Sequence, residues 1–357
     1  MTNQSSHSEG GRKTPDQSYV PGLPGRLLSR AYTGVVQHRN RRFDRGKRVV
    51  TFDRPVISVG NLSLGGTGKT PTVEKIVELL RAHGHDPAVA MRGYGSKRAG
   101  ISDEAELYRA RFDDLALVAQ PKRVEGLIAL FGTERGRRVD CVVLDDGFQH
   151  RRIARQIDLV LIDASHDPFG CEVFPAGRLR EPVANLARAT HVVITHAELV
   201  SPPVAAALAE RASSCAGIGS CAVASHEWSG FTVVHRGRES AEPASYIAGK
   251  RVVAACAIGR PAGFLAALER AHADVVETVV LPDHDPFSRA SIDRICAPVA
   301  DGAVHAIVLT RKDWTKLVRR PIDWPCPVAI PTLTVEFRAG WEALAHDILA
   351  VAASEPV

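Results

Sequence analysis

Residues 56–70 read Val-Ile-Ser-Val-Gly-Asn-Leu-Ser-Leu-Gly-Gly-Thr-Gly-Lys-Thr, and this stretch decides the fold. Residues 56–59 are β-branched and apolar apart from one serine, the composition of a short buried strand. A glycine-rich run follows, and from Thr70 to His83 the apolar residues recur at helical spacing. Strand, glycine loop and helix in that order form a phosphate-binding loop of the type GxxxxGK[ST], with Ser63 where the first glycine is usual. Glycine lets backbone N–H groups wrap phosphate oxygens, and the helix N-terminus adds partial positive charge. The nucleotide-binding residues are then Ser63, Leu64, Gly65, Gly66, Thr67, Gly68, Lys69 and Thr70. Lys69 would reach the β- and γ-phosphates of a bound nucleotide, and the Thr70 hydroxyl would hold Mg²⁺. An ordinary glycine-rich turn is the competing reading, and the strand–helix context argues against it.

Short apolar runs at 88–91, 115–119, 139–144, 159–162 and 192–195 continue the α/β pattern. Buried strands separated by helices predict a parallel sheet covered on both faces. A strand over 228–236 leads to a second unit, with strands at 252–258, 275–280 and 307–310 and a helix over 262–271. The expected fold class is therefore α/β, a P-loop NTPase-like, mostly parallel sheet with helices on both faces, plus a second, smaller α/β domain. The first domain spans 49–229, completed by a C-terminal helix within 336–357, and the second spans 230–335. The strand at 139–144 runs into Asp145 and Asp146. Carboxylates at the carboxyl edge of such a strand face the nucleotide, so Thr70, Asp145 and Asp146 are the candidate metal ligands. A polar Asp-Asp-Gly turn is the alternative.

Of 357 residues, 45% are hydrophobic and 24% charged, which excludes wholesale disorder. No apolar run approaches the ~20 residues that span a bilayer, and residues 1–20 lack the apolar stretch of a secretory signal. They read as a disordered leader. Seven scattered cysteines with no CxxC pair predict reduced thiols rather than disulfides or a cysteine zinc site. The net charge is +5, yet residues 1–54 hold eleven Lys/Arg against four Asp/Glu, so the basic excess is N-terminal. Within 21–48, Leu27, Leu28, Ala31, Tyr32, Val35 and Val36 form an apolar stripe, followed by Arg39, Arg41, Arg42, Arg45, Lys47 and Arg48. That is the pattern of a helix lying on an anionic membrane surface, and equally of a helix packed on its own domain beside a solvated basic loop. Too few aromatics interleave with the basic run to suggest nucleic acid.

Further segments are individually weak: Arg92-Gly93-Tyr94-Gly95 after a strand, Asp103-Glu104 in what reads as a solvated loop, Gln149 to Arg152 after the aspartates, and His284 between Asp283 and Asp285. Together, however, the phosphate loop, Arg92-Gly93-Tyr94-Gly95, Leu144 to Arg151 (LDDGFQHR), Pro175 to Pro182 (PAGRLREP), Pro282-Asp283-His284 and Thr310-Arg311-Lys312-Asp313 resemble, in order, the tetraacyldisaccharide 4'-kinase family of lipid A biosynthesis. The resemblance implies ATP- and Mg²⁺-dependent phosphorylation of the 4'-hydroxyl of an acylated glucosamine disaccharide 1-phosphate to give lipid IVA. It also implies an N-terminal helix on the cytoplasmic face of the inner membrane of a Gram-negative-type cell, with no obligate protein partner. By resemblance the catalytic residues are Asp103 as base, His284 as its partner and Lys69. Arg92, Tyr94, Arg123, Gln149, His150, Arg180 and Glu181 match further active-site positions. Asp103 is flanked here by Ser102 and Glu104-Ala105, a departure from the family pattern that leaves Asp86 and Glu104 as alternative bases. A small-metabolite P-loop kinase and a nucleotide-driven switch are the rival classes. A switch selecting guanine needs an NKxD loop, which Thr310 to Asp313 only mimics out of register.

Overall fold

The computed structural model describes residues 19–93, 103–259, 261–283, 285–299, 303–318 and 320–354. Its strands are β1 (Val56–Asn61), β2 (Pro87–Met91), β3 (Ala116–Ala119), β4 (Cys141–Asp145), β5 (Ile157–Asp163), β6 (His191–Thr195), β7 (Ala222–His235), β8 (Arg238–Pro243), β9 (Arg251–Cys256), β10 (Asp274–Val280), β11 (Ala306–Leu309) and β12 (Val328–Ala339). Its helices are α1 (Gly22–Asp44), α2 (Lys69–Ala82), α3 (Asp103–Arg111), α4 (Arg123–Phe131), α5 (Glu134–Arg137), α6 (Pro202–Ala216), α7 (Pro261–Arg270), α8 (Arg289–Cys296), α9 (Arg311–Leu317) and α10 (Trp341–Ala352).

One twelve-stranded sheet runs through the chain in the order β10-β9-β11-β12-β7-β6-β5-β1-β4-β2-β3, with β8 paired to β7. The strands from β6 to β3 are mutually parallel, as are those from β10 to β12. Direction reverses between the long strands β7 and β12, which pair antiparallel and carry the sheet from one lobe to the other. Strand alternation separates two core faces. In β1, Ile57 and Val59 pack toward α2, α3 and α10, while Val56 packs toward α4. In β5, Leu159 and Leu161 face that first side, and Val160 and Ile162 face α6. The strands are buried on both faces, hence the continuous apolar runs. The closing helix α10 sends Leu344, Ile348 and Ala352 into the core beneath α2.

Several elements differ from the expectations. The segment from Asp103 is helical rather than a solvated loop, because Ala105, Tyr108 and Phe112 recur at helical spacing and are buried. Pro331 argues against a central strand, yet β12 passes through it in register with Phe231, and β12 covers residues expected as the start of the closing helix. The expected boundary at 229/230 falls inside β7.

The basic N-terminal segment is the helix α1, and it inverts the usual amphipathic rule. Its inward residues are Gly25, Ser29, Val36 and Asn40. Ser29 donates to the Val173 carbonyl (2.6 Å) and Asn40 to Glu181 (3.2 Å). Leu23, Leu27 and Val35 are instead 71%, 56% and 69% exposed, and of the apolar stripe only Val36 is buried. Apart from Val36 and an edge contact of Tyr32 on Phe174, the stripe therefore faces away from its own domain. No helix among the described residues is long and apolar enough to cross a membrane.

Candidate active site

The phosphate loop takes the conformation its glycines permit. Gly65 and Gly68 have φ of 111° and 79°, a region that favours glycine, and Gly68 immediately precedes α2. Asn61, at the end of β1, braces the loop from within by donating to the Ser63 carbonyl (2.8 Å) and the Thr67 hydroxyl (3.0 Å). The segment around Leu179 braces it from outside. Leu64 N–H donates to the Arg178 carbonyl (2.8 Å), Arg180 N–H donates to the Leu62 carbonyl (2.7 Å), and Ser63 bridges Leu179. Ser63 thus forms a short antiparallel contact, which does not require glycine.

The two aspartates at the end of β4 have different surroundings. Asp145 is buried and accepts a hydrogen bond from the Tyr108 hydroxyl (2.9 Å). Its burial raises its pKa, outweighing Lys69, because desolvation disfavours the charged form. Asp146 turns out at φ 53° and meets three cations. Arg180 grips both its oxygens (2.8 and 2.9 Å), Lys69 Nζ stands 3.5 Å away, and Arg123 donates to its carbonyl (3.0 Å). Burial alone would raise its pKa, but Lys69, Arg180 and Arg123 lower it below the usual carboxylate value. Lys69 and Asp146 therefore lie together at the loop with Arg180 and Arg123 behind them.

A second layer is organised by Glu181, which is fully buried. It accepts from Gln149 (2.9 Å), Asn40 (3.2 Å), Asn185 (2.6 Å) and Arg188 (3.0 Å). Gln149 also donates to the Asn61 carbonyl (2.8 Å) and accepts from Arg180 (3.3 Å). A continuous polar chain thus links helix α1, Glu181, Gln149, Arg180, Asp146 and Lys69.

His150 lies beside this layer, its Nε2 buried and without a hydrogen-bond partner. Burial, then Arg123 and Arg155, push its pKa down to about 4 from an ordinary 6.5. Because the folded value is depressed, the unfolded chain takes up the proton first as pH falls, and stability is lost between about pH 6.5 and 4. Asp145, Asp158 and Glu74, raised by burial, titrate in the opposite sense, so a single-variant difference isolates the histidine. Urea unfolding of His150→Gln is expected to show about one proton less uptake than wild type near pH 5. Equal pH slopes would contradict this.

The other expected residues are distributed as follows. Arg92 follows β2 and is exposed. Tyr94, His284 and the Asp103 side chain lie outside the described residues. Asp103 opens α3, and Asp283 accepts from Lys312 (3.3 Å). The neighbouring Arg311 forks onto Glu74 of α2 (3.1 Å to each oxygen) and donates to the Leu107 carbonyl of α3 (2.9 Å). Residues 310–313 thus tie the segment before His284 and the helix that Asp103 opens to the phosphate-loop helix. Asp86, the alternative base, precedes β2 at the edge away from the loop and is held by Arg135 (2.6 and 2.7 Å). It is a structural ion pair there. Asn40, Asn61, Tyr108 and Glu74 escaped the sequence reading. Asn61, where β1 meets the loop, was the one with a local signal.

The donor set fits Mg²⁺. Thr70 and Asp145 are hard oxygen donors, and Asp145 is a buried carboxylate at the carboxyl end of β4. Asp146 is already neutralised by cations.

Known proteins are similar to this chain over most of its length. A family model described as tetraacyldisaccharide-1-P 4'-kinase matches residues 24–353. A tetraacyldisaccharide 4'-kinase of Chlorobaculum parvum is 32% identical over 343 residues, covering 90% of this chain and 92% of that one. One from Geobacter metallireducens is 34% identical over 308 residues, covering 82% and 87%. The fold is similar to that of an "apo" form of LpxK from Aquifex aeolicus in complex with ATP, with a TM-score of 0.69, 24% identity and coverage of 91% and 97%. On the extent of the family match and the identity to these relatives across most of its length, this chain belongs to the tetraacyldisaccharide 4'-kinase family.

Proposed function

We propose that this kinase transfers the γ-phosphate of ATP to the 4'-hydroxyl of a tetraacylated glucosamine disaccharide 1-phosphate, giving lipid IVA. Family membership across residues 24–353 carries the reaction class. The observation that carries the site is Lys69 facing Asp146 at the loop, with Asp145 buried behind Tyr108. Phosphoryl transfer is governed by positioning and charge stabilisation more than by covalent chemistry. The loop N–H groups and Lys69 hold and neutralise the phosphates, and Arg180 and Arg123 keep Asp146 ionised beside them. Thr70 and Asp145 would hold Mg²⁺, which when bound supplies further neutralisation of the phosphate oxygens.

A sugar hydroxyl is a poor nucleophile, so a base must take its proton. Asp103 is the base in this reading and His284 orients it. The ties from Arg311 to α3 and from Lys312 to Asp283 support it, because they bring the segments carrying the two residues to one neighbourhood. Residues 49–229 act as the nucleotide lobe and 230–335 as the lobe that brings His284, hinged on β7 and β12. Transfer of labelled γ-phosphate to the lipid acceptor in mixed micelles tests the pair. Asp103→Ala is expected to lower kcat by about 10²-fold or more with ATP binding intact. Activity within a factor of three of wild type would remove Asp103 as base.

The acceptor is a lipid, and the outward leucines and basic run of α1 suit docking on the anionic cytoplasmic face of the inner membrane. Binding to vesicles containing anionic lipid is expected to weaken as salt rises, and to fail in a Leu27→Glu/Leu28→Glu variant. Binding unchanged by both would contradict this role for α1.

A further inference from the structure

Beside the phosphate loop, on the side of β1 away from β4 and Asp145, lies a cluster to which the proposed reaction assigns no step. His196 and Glu198 follow β6, and His226 lies on β7. One donor atom from each of the three lies within 4.8 Å of the others, and the two imidazole rings are 4.1 Å apart. His226 is 5% exposed, and neither of its ring nitrogens has a hydrogen-bond partner. A buried imidazole normally satisfies at least one nitrogen, since it offers a donor and an acceptor. Here both are left over beside a carboxylate and a second imidazole.

Glu198 uses both of its carboxylate oxygens within the cluster. Glu198 Oε2 accepts the His226 backbone N–H (2.9 Å), while Oε1 faces His196 Nδ1 at 3.3 Å. His196 is held at φ 55°, an uncommon conformation for a residue with a Cβ, which turns it toward the cluster. The cluster also touches the loop. A Cβ on Gly68 would fall 2.4 Å from His226 Cε1 and Nε2, so the ring lies against the loop backbone. Thr195, just before His196, donates to the Thr67 carbonyl (3.0 Å).

We propose that His196, Glu198 and His226 form a binding site for a divalent transition-metal ion of the zinc class on the shoulder of the phosphate loop. Two imidazoles and one carboxylate are the donors of zinc and its borderline-soft neighbours, whereas Mg²⁺ and Ca²⁺ favour all-oxygen sets. Three protein ligands leave a further position for water. A metal bound here would join β6 and β7 directly behind Gly68.

The test uses the full chain, stripped with chelator and titrated with Zn²⁺ against a chromogenic competitor. Mg²⁺ is present in excess, so that the oxygen-donor site beside Lys69 is filled. One tight equivalent per chain is expected, with affinity at least tenfold weaker in His196→Ala and in Glu198→Gln. Co²⁺ substitution is expected to give a visible spectrum without a thiolate charge-transfer band, which excludes the seven free cysteines as ligands. His226→Gln should abolish binding. His196 is partly exposed and its alanine variant spares the core, so it serves if His226→Gln does not fold. No tight equivalent in wild type, equal affinity in His196→Ala, or a thiolate band would each overturn the proposal.

Discussion

Lys69→Ala is expected to lower kcat for γ-phosphoryl transfer by about 10²–10³-fold, the usual cost of removing one preorganised charge from a developing oxyanion. The side chain stands at the phosphate loop beside an acidic partner. Lys69 is on the first turn of α2, its Nζ 3.5 Å from Asp146, and its side chain is only 15% exposed. Its charge is the largest influence holding the Asp146 pKa down against burial. The variant should still fold, because Arg180 keeps both oxygens of Asp146 and Arg123 keeps its carbonyl. A thermal unfolding midpoint near wild type beside a collapsed kcat would separate chemistry from stability. Lys69→Arg should not restore the rate, since a planar fork does not replace a compact ammonium at the loop. A kcat within tenfold of wild type for Lys69→Ala would contradict the role.

Glu181→Ala is expected to cost about 3–5 kcal/mol of stability, the range for breaking a buried ion pair from one side. The carboxylate is fully buried and serves four donors: Asn40, Gln149, Asn185 and Arg188. Without it Arg188 keeps its cation–π contact with Phe148 (4.3 Å) but loses its ion-pair partner. The damage should also reach the loop, because Gln149 links Glu181 to Arg180 and so to Asp146 and Lys69. Glu181→Gln keeps the volume but places an amide against donors, so it should fall between wild type and alanine. Urea unfolding together with kcat measures both effects. A loss below about 1 kcal/mol would mean that the network is not coupled to the fold.

Much of the nucleotide lobe was legible because its signals are local. A buried strand, a glycine loop and a helical stripe lie next to each other in residues 56–83, and β4 ends in its aspartates without help from elsewhere. What could not be read depends on partners far along the chain. Asp145 and Asp146 look equivalent in the sequence, and only Tyr108, 37 residues away, and Arg180, 34 residues away, make them different. The function of Arg311 required Glu74, 237 residues distant. Helix α3 was missed because Asp103-Glu104 reads as polar, although Ala105, Tyr108 and Phe112 carry the helical period just beyond it. Strand β12 went unread; it passes through Pro331 in register with Phe231 of β7, and only that long-range antiparallel pairing defines it. For α1 the sequence marked the apolar stripe correctly, but not that its small and polar face would be the buried one.

The central claim is regiospecific phosphorylation of a lipid disaccharide, and locating the transferred phosphate tests it most directly. The wild-type chain would be incubated with ATP, Mg²⁺ and the acylated glucosamine disaccharide 1-phosphate in mixed micelles, and the lipid product purified and studied by ¹H–³¹P correlation NMR. A new phosphomonoester coupled to the proton on carbon 4' of the distal glucosamine, with the 1-phosphate unchanged, is the predicted result. A pyrophosphate at position 1, or phosphate appearing only free in solution, would contradict it.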